Sequence, residues 1–241
     1  TDDAVVFVNE ADQQIYLQPF DSQTPQSLTQ GDKLFGDVRY ARGQILAVEE
    51  DKDTHRLVAI DVADGRRHVL AEGADFYASP TVSPDGNRLV WIEWWRPHQP
   101  WTSTRLMSVE RQADLAWGRL HCLAGGLGLE SLQQPRFDEA GRLYCLTDRA
   151  GFWQPWVETL DGFEALPAAP ADHASAPWQL GASTWAPLSD GAYLAAWFED
   201  GKGLLGVHSA QGSVEDFSGD YSRFRSLAVD ADYLYCIAAS P

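Results

Sequence analysis

Apolar and polar residues alternate along this chain in short runs, and the runs recur with one shape. Five times an extended segment meets a turn rich in Asp and Gly and passes into an apolar strand. Val38–Gly43 leads into Gln44–Glu50, and Thr81–Gly86 leads into Asn87–Trp94. Arg136–Gly141 leads into Arg142–Asp148, Trp185–Gly191 into Ala192–Glu199, and Leu227–Asp232 into Tyr233–Ala238. Val5–Glu10 reads as the second half of the same unit. Taking Val5, Ile45, Leu89, Leu143, Leu194 and Leu234 as equivalent gives steps of 40, 44, 54, 51 and 40 residues. Steps of this size are those of propeller blades.

The turns have a physical basis. Pro84 presets the backbone at a turn's first central position, Asp85 can bond to nearby backbone, and Gly86 supplies a positive φ. Strands such as Leu89-Val90-Trp91-Ile92 and Leu143-Tyr144-Cys145-Leu146 are rich in β-branched and aromatic residues. Arg56–Asp61 and Arg67–Leu70, joined by Ala63-Asp64-Gly65, read as third and fourth strands. Leu115–Leu123 has a brief helical pattern, which Gly118 and Gly125-Gly126-Leu127-Gly128 interrupt. The expected fold class is therefore all-β: a propeller of four-stranded blades over 1–241. A large β-sandwich is the alternative, and the long regular period sits awkwardly with it. Val5–Leu28 offers three strands and Phe224–Ala238 two, so the pattern predicts about four whole blades and two partial ones, truncated from a longer protein.

Composition narrows the function classes. Ten Trp, ten Phe and eight Tyr among 241 residues supply an ample core. Eighteen basic against 35 acidic residues give a net charge of −17, a field that repels nucleic acid and anionic membrane surfaces. No apolar run approaches the length of a membrane span. A leader removed before Thr1 would leave no trace here. Cys122, Cys145 and Cys236 are few, far apart and set among apolar neighbours. They predict buried free thiols in a reducing compartment, and hence a cytoplasmic location.

The run Gly73–Gly86, containing Ser79-Pro80-Thr81-Val82-Ser83-Pro84-Asp85-Gly86, is followed by Trp91-Ile92-Glu93-Trp94, Pro97, Pro100-Trp101 and Thr104-Arg105-Leu106. Further on stand Glu130–Pro135, Gly141-Arg142-Leu143-Tyr144 and Thr147–Trp153. Together these resemble the propeller of prolyl-oligopeptidase-family serine peptidases, closest to the bacterial dipeptidyl-aminopeptidase and acylaminoacyl-peptidase branch. Ser-Pro-Asp-Gly alone occurs in any TolB-type propeller; the linked run from Gly73 to Leu106 is more specific. The likeness spans about Gln13 to Trp185, with Arg96 and His98-Gln99 departing from the pattern. It implies a gating propeller, without catalysis of its own, whose partners are a C-terminal α/β-hydrolase domain and the peptide substrates that domain cleaves.

The chemistry agrees with a non-catalytic chain. The nucleophile elbow Gly-x-Ser-x-Gly of that family is missing, and Gly181-Ala182-Ser183-Thr184-Trp185 lacks its second glycine. Six scattered histidines define no triad without geometry. No zinc or EF-hand spacing is present, so neither a metal nor a cofactor is expected. Asp51-Lys52-Asp53 reads as a solvated acidic turn, with calcium the less favoured reading. The candidate binding residues are Trp94, Trp95, Arg96, His98 and Trp101, an aromatic loop beyond a strand end, together with Asp148 and Arg149. The loop's rings either pack on a neighbouring blade or absent domain, or contact a ligand. Asp148 and Arg149 serve either an ion pair and backbone bonds or substrate recognition. From another class, the chain could be a free-standing propeller binding protein or carbohydrate through the tryptophans. A glycosidase would need two carboxylates on one face.

Overall fold

The computed structural model describes every residue except 2, 115, 127, 231, 232 and 241. Six antiparallel sheets follow one another along the chain. The first holds β1 (Ala4–Val8), β2 (Ile15–Pro19) and β3 (Gln26–Ser27). Four complete sheets follow: β4 (Leu34–Ala41) to β7 (Arg67–Glu72) through β5 (Gln44–Asp51) and β6 (Thr54–Asp61); then β8 (Phe76–Val82), β9 (Arg88–Trp94), β10 (Arg105–Glu110) and β11 (His121–Ala124). The next holds β12 (Leu132–Phe137), β13 (Leu143–Thr147), β14 (Gln154–Thr159) and β15 (Gly162–Ala165). The last full sheet holds β16 (Trp185–Pro187), β17 (Tyr193–Glu199), β18 (Lys202–His208) and β19 (Val214–Asp216), and β20 (Arg223–Val229) pairs only with β21 (Leu234–Ala239). This is a β-propeller with four whole blades and two partial ones. Among the described residues, helical structure is limited to a 3-10 turn at Ser189–Gly191, and no helix is long and apolar enough to cross a membrane.

Strand alternation explains why the second strand of each blade reads as an unbroken apolar run. On β5, Ile45 and Ala47 pack toward the first blade with Ile15, while Leu46 and Val48 pack toward the third with Tyr77, Leu89 and Trp91. On β9, Val90 and Ile92 meet Leu132, Leu143 and Cys145 of the fourth blade. Tyr144 and Leu146 of β13 meet Trp185, Tyr193 and Ala195, and Leu194 and Ala196 of β17 meet Phe224 and Leu227. With a period of two, each such strand feeds two cores, one per neighbouring blade. The terminal sheets have one neighbour each, which leaves Val5 on β1 and Tyr235 and Ile237 on β21 exposed.

The same logic corrects one expectation. Cys145 is buried on β13, but Cys122, on the outermost strand of its blade, and Cys236, on β21, are exposed. Apolar sequence neighbours do not bury a thiol where no further strand or blade covers it. The Ser83–Asn87 turn forms as its residues predict: Asp85 Oδ1 accepts from the Asn87 amide at 3.0 Å, and Gly86 sits at φ 78°. Of the other expected loops, Leu115, Leu127, Ala231 and Asp232 lie outside the described residues, as does Pro241.

The innermost strands share a feature that local pattern does not announce. Ladder register shifts in β4 between Gly36 and Arg39, in β8 between Ala78 and Thr81, in β12 between Gln133 and Arg136, and in β20 between Arg225 and Ala228. Each shift brackets a non-glycine residue with positive φ: Asp37, Ser79, Gln134 and Ser226. Such bulges turn a strand and free its polar groups. Here those groups bond across to the next blade: Asp37 Oδ2 accepts from the Ser79 amide, and Gln134 Oε1 accepts from the Thr184 amide. Ser183 Oγ donates to the Leu227 carbonyl, carrying the stitching to the last sheet.

Candidate functional site

At the end of the blades where the inner strands begin, two connections meet. One joins β9 to β10 and carries the tryptophan-rich segment; the other joins β15 to β16 and carries Trp178. Trp94 is the last residue of β9, nearly buried, and stacks on Phe76 at 5.2 Å between ring centroids. It therefore ends the strand that the pattern put at Asn87–Trp94 and packs into the core, which corrects its placing in the aromatic loop beyond the strand end. Past Trp94, the Arg96 amide donates to Asp75 Oδ2 at 2.8 Å, its guanidinium lies 5.2 Å from the Phe76 centroid, and the Arg96–Pro97 peptide bond is cis. Trp101 meets Trp178 with centroids 4.0 Å apart. Phe35, Phe76, Trp94, Trp101, Trp178 and Leu180 help to line a cavity of about 430 Å³.

Gln13, Glu50, His55, Tyr77, Gln99 and Gln179 bring polar groups to this cavity. His55 packs against Phe76, and its Nδ1 lies 2.5 Å from the Asp75 carbonyl oxygen, a contact that calls for the Nδ1–H tautomer. Its Nε2 is 3.5 Å from Glu50. Among the described residues that line the cavity, Glu50 is the one carboxylate. The cavity's aromatic lining suits an apolar or aromatic group.

The remaining sequence candidates separate. Trp95 turns to the other side, where its Nε1 donates to the Gly73 carbonyl and Arg105 lies 4.5 Å from its ring centroid. Trp95 and His98 line a second cavity of about 420 Å³ with Glu93, Arg105 and Gly125. Glu93 is buried there and accepts from Trp91 Nε1; burial holds its carboxyl above the ordinary range. Gly125 closes the wall at φ 82°, where an added Cβ would lie 2.0 Å from the Thr104 carbonyl oxygen. No side chain fits that approach.

Asp148 and Arg149 line neither cavity. Asp148 Oδ1 accepts from the Ser131 amide at 2.8 Å, while Ser131 Oγ donates to the Pro100 carbonyl and accepts from Trp153 Nε1. Burial raises the Asp148 carboxyl despite that bond. Asp148 thus acts on the tryptophan segment from behind, by holding the residue that anchors Pro100. Arg149 pairs with Glu130 at 2.8 Å and covers Trp156. Phe76, His55 and Trp178 belong to the site but were not among the sequence candidates. Trp178 had a signal, as an aromatic in the Pro-containing stretch Ala176–Gln179; Phe76 stood in the Gly73–Gly86 run without being singled out, and His55, just before the strand read at Arg56–Asp61, had none.

Among the described residues, no group of three or more His, Cys, Asp or Glu is placed to hold a metal ion. No family model matches the chain, and no curated protein matches it by sequence. Solved structures do. A puromycin-hydrolysing peptidase of Mycobacterium tuberculosis superposes with a TM-score of 0.85 and 26% identity, and a puromycin hydrolase with 0.87 and 26%. In both, the match covers 98% of this chain but 40% of the neighbour, so the chain spans under half of their length. TolB from Acinetobacter baumannii matches at a TM-score of 0.63 with 13% identity, a likeness of fold alone. The fit reaches beyond the stretch from Gln13 to Trp185, taking in β17–β21 as well.

Proposed function

We propose that this chain, a β-propeller of the kind carried by prolyl-oligopeptidase-family serine peptidases, gates and docks a hydrolase domain in such an enzyme and is itself without catalysis. The observation that carries the reading is the fit of nearly the whole chain to part of two peptidases. The absence of a Gly-x-Ser-x-Gly elbow from residues 1–241 supports a passive role. On this reading the catalytic serine belongs to an α/β-hydrolase domain C-terminal to residue 241, peptides are the substrates, and the cytoplasm is the location that the free thiols favour.

Two features suit the role. The inner strands are cross-bonded at Asp37–Ser79, Gln134–Thr184 and Ser183–Leu227, so the inner rim is stiff, as a size filter requires. Trp178 and Leu180, 75% and 45% exposed, top the aromatic cavity and offer apolar surface for the hydrolase domain to cover.

Reading the gene past codon 241 tests this directly. The expected result is an in-frame Gly-x-Ser-x-Gly followed by an Asp and a His, with the 241-residue chain alone releasing no arylamine from aminoacyl arylamides. A stop codon at that point would sink the gating role. The cavity at Trp94, Trp101 and Trp178 would then mark a free-standing binding module.

A further inference from the structure

A second kind of site lies among the inner strands, away from the aromatic cavity. Arg39 and Tyr40 of β4, Thr81 and Val82 of β8, Arg136 of β12, and Ser183 just before β16 line a cavity of about 320 Å³. Successive innermost strands contribute them, so the cavity lies on the inner side of the blades. Among the described residues, two arginines line it and no carboxylate does.

The two arginines differ in how they are satisfied. Arg39 is 3.2 Å from Asp37 Oδ1, without the geometry of a hydrogen bond, and Asp37 Oδ2 is already committed to the Ser79 amide. Arg136 has no ion-pair partner among the described residues. Its Nη1 donates to the Pro135 carbonyl at 3.0 Å, and its Nη2 reaches the Ala182 carbonyl and Ser183 Oγ only at 3.4 and 3.5 Å. Burial and the repulsion of Arg39 outweigh the attraction of Asp37 and pull its pKa down to about 10, so it remains charged at neutral pH. One carboxylate, Asp37, stands against two guanidinium groups.

We propose that this cavity binds an organic carboxylate, such as the C-terminus of a short peptide, between Arg39 and Arg136. A carboxylate supplies the two oxygens that a guanidinium fork takes bidentately. Ala41, Leu46, Pro80 and Val82 add apolar wall beside the arginines, and the volume exceeds what a bare inorganic anion fills. The cavity therefore suits an anionic head with a small apolar body. The inference stands on the cavity's own residues and holds whether or not a hydrolase domain follows this chain.

Calorimetric titration of the 241-residue chain with N-acetyl-Ala-Val and with its C-terminal amide tests the site. The acid should bind at least tenfold more tightly than the amide and more tightly than inorganic phosphate. Arg136→Gln should remove that preference, and Arg136→Lys should restore it only in part, because lysine has no fork. Equal affinity for acid and amide, phosphate binding more tightly than the acid, or an undiminished preference in Arg136→Gln would each overturn the proposal. Should Arg136→Gln fail to fold, the acid–amide comparison on the unaltered chain still decides.

Discussion

The carboxylate of Asp37 accepts a 2.6 Å hydrogen bond from the backbone amide of Ser79, 42 residues away on the next inner strand. Both residues have positive φ, at 50° and 54°, so two left-handed bulges face each other. The strain of each conformation is offset by the bond it allows. Asp tolerates this backbone better than most residues because its short polar side chain bonds locally.

Asp37→Ala removes the acceptor and leaves the buried Ser79 amide unpaired. The expected loss is about 1–3 kcal/mol from the amide, with about 1 kcal/mol more from alanine in a left-handed backbone. Asp37→Asn keeps an oxygen and tolerates the backbone, so it should lose less than half as much. Urea unfolding of both variants checks the order.

Glu49 on β5 carries a fully buried carboxylate bonded to Arg67 and Lys33, with Arg56 at 3.7 Å. Burial pushes its carboxyl up, but Arg67 and Lys33 outweigh that and hold it below the ordinary value. Glu49→Ala would leave Arg67 without its carboxylate, while Lys33 keeps Asp51 and Arg56 keeps Glu72, and should cost about 1–3 kcal/mol. An exposed partner gives the contrast: Arg66→Ala, which breaks the pair with Asp61, should change the unfolding midpoint little.

His173 and His208 form a buried pair with ring centroids 5.7 Å apart, His208 stacked on Tyr193 and edge-on to Trp197. The Nε2 of each has no hydrogen-bond partner. Burial lowers both to about 4, with repulsion between the two adding to the effect at His208. An unfolded histidine titrates near 6.5, so between about 6.5 and 4 the unfolded chain binds more protons than the folded one. Stability from this pair is full above that window and is lost as pH falls through it, on the order of 3 kcal/mol for His173. Unfolding free energies at pH 7 and pH 4.5 should show the loss, and His208→Phe should reduce it. An unchanged slope in that variant would rule the pair out as its source.

Trp178 and Trp91 should behave oppositely. Trp91 is fully buried between the second and third blades, and Trp91→Ala should cost about 3–5 kcal/mol. Trp178 is 75% exposed and meets mainly Trp101, so Trp178→Ala should cost no more than about 1.5 kcal/mol. If both variants unfold at the same denaturant concentration, Trp178 is structural, and its role as an open contact surface fails.

The sequence alone was enough for the blades. Repeat spacing, the Asp-Gly turns and the apolar second strands are local properties, set by backbone sterics and a side-chain period of two, and β5, β9, β13 and β17 form within a residue or so of where that pattern puts them. The likeness between Gly73 and Leu106 also pointed to the fold that the solved structures share. Tertiary structure alone decided which polar side chains meet. Asp37 and Ser79, Trp101 and Trp178, and Arg39 and Arg136 come together because blades stack around an axis, which carries residues tens of positions apart onto adjacent inner strands and loop ends. Burial was decided at the same level: Cys145 and Cys122 have similar sequence neighbours, yet Cys145 sits on a second strand covered by the neighbouring blade, whereas Cys122 sits on the outermost strand of its blade. A strand's own residues specify that it has two faces; what covers each face depends on the rest of the chain.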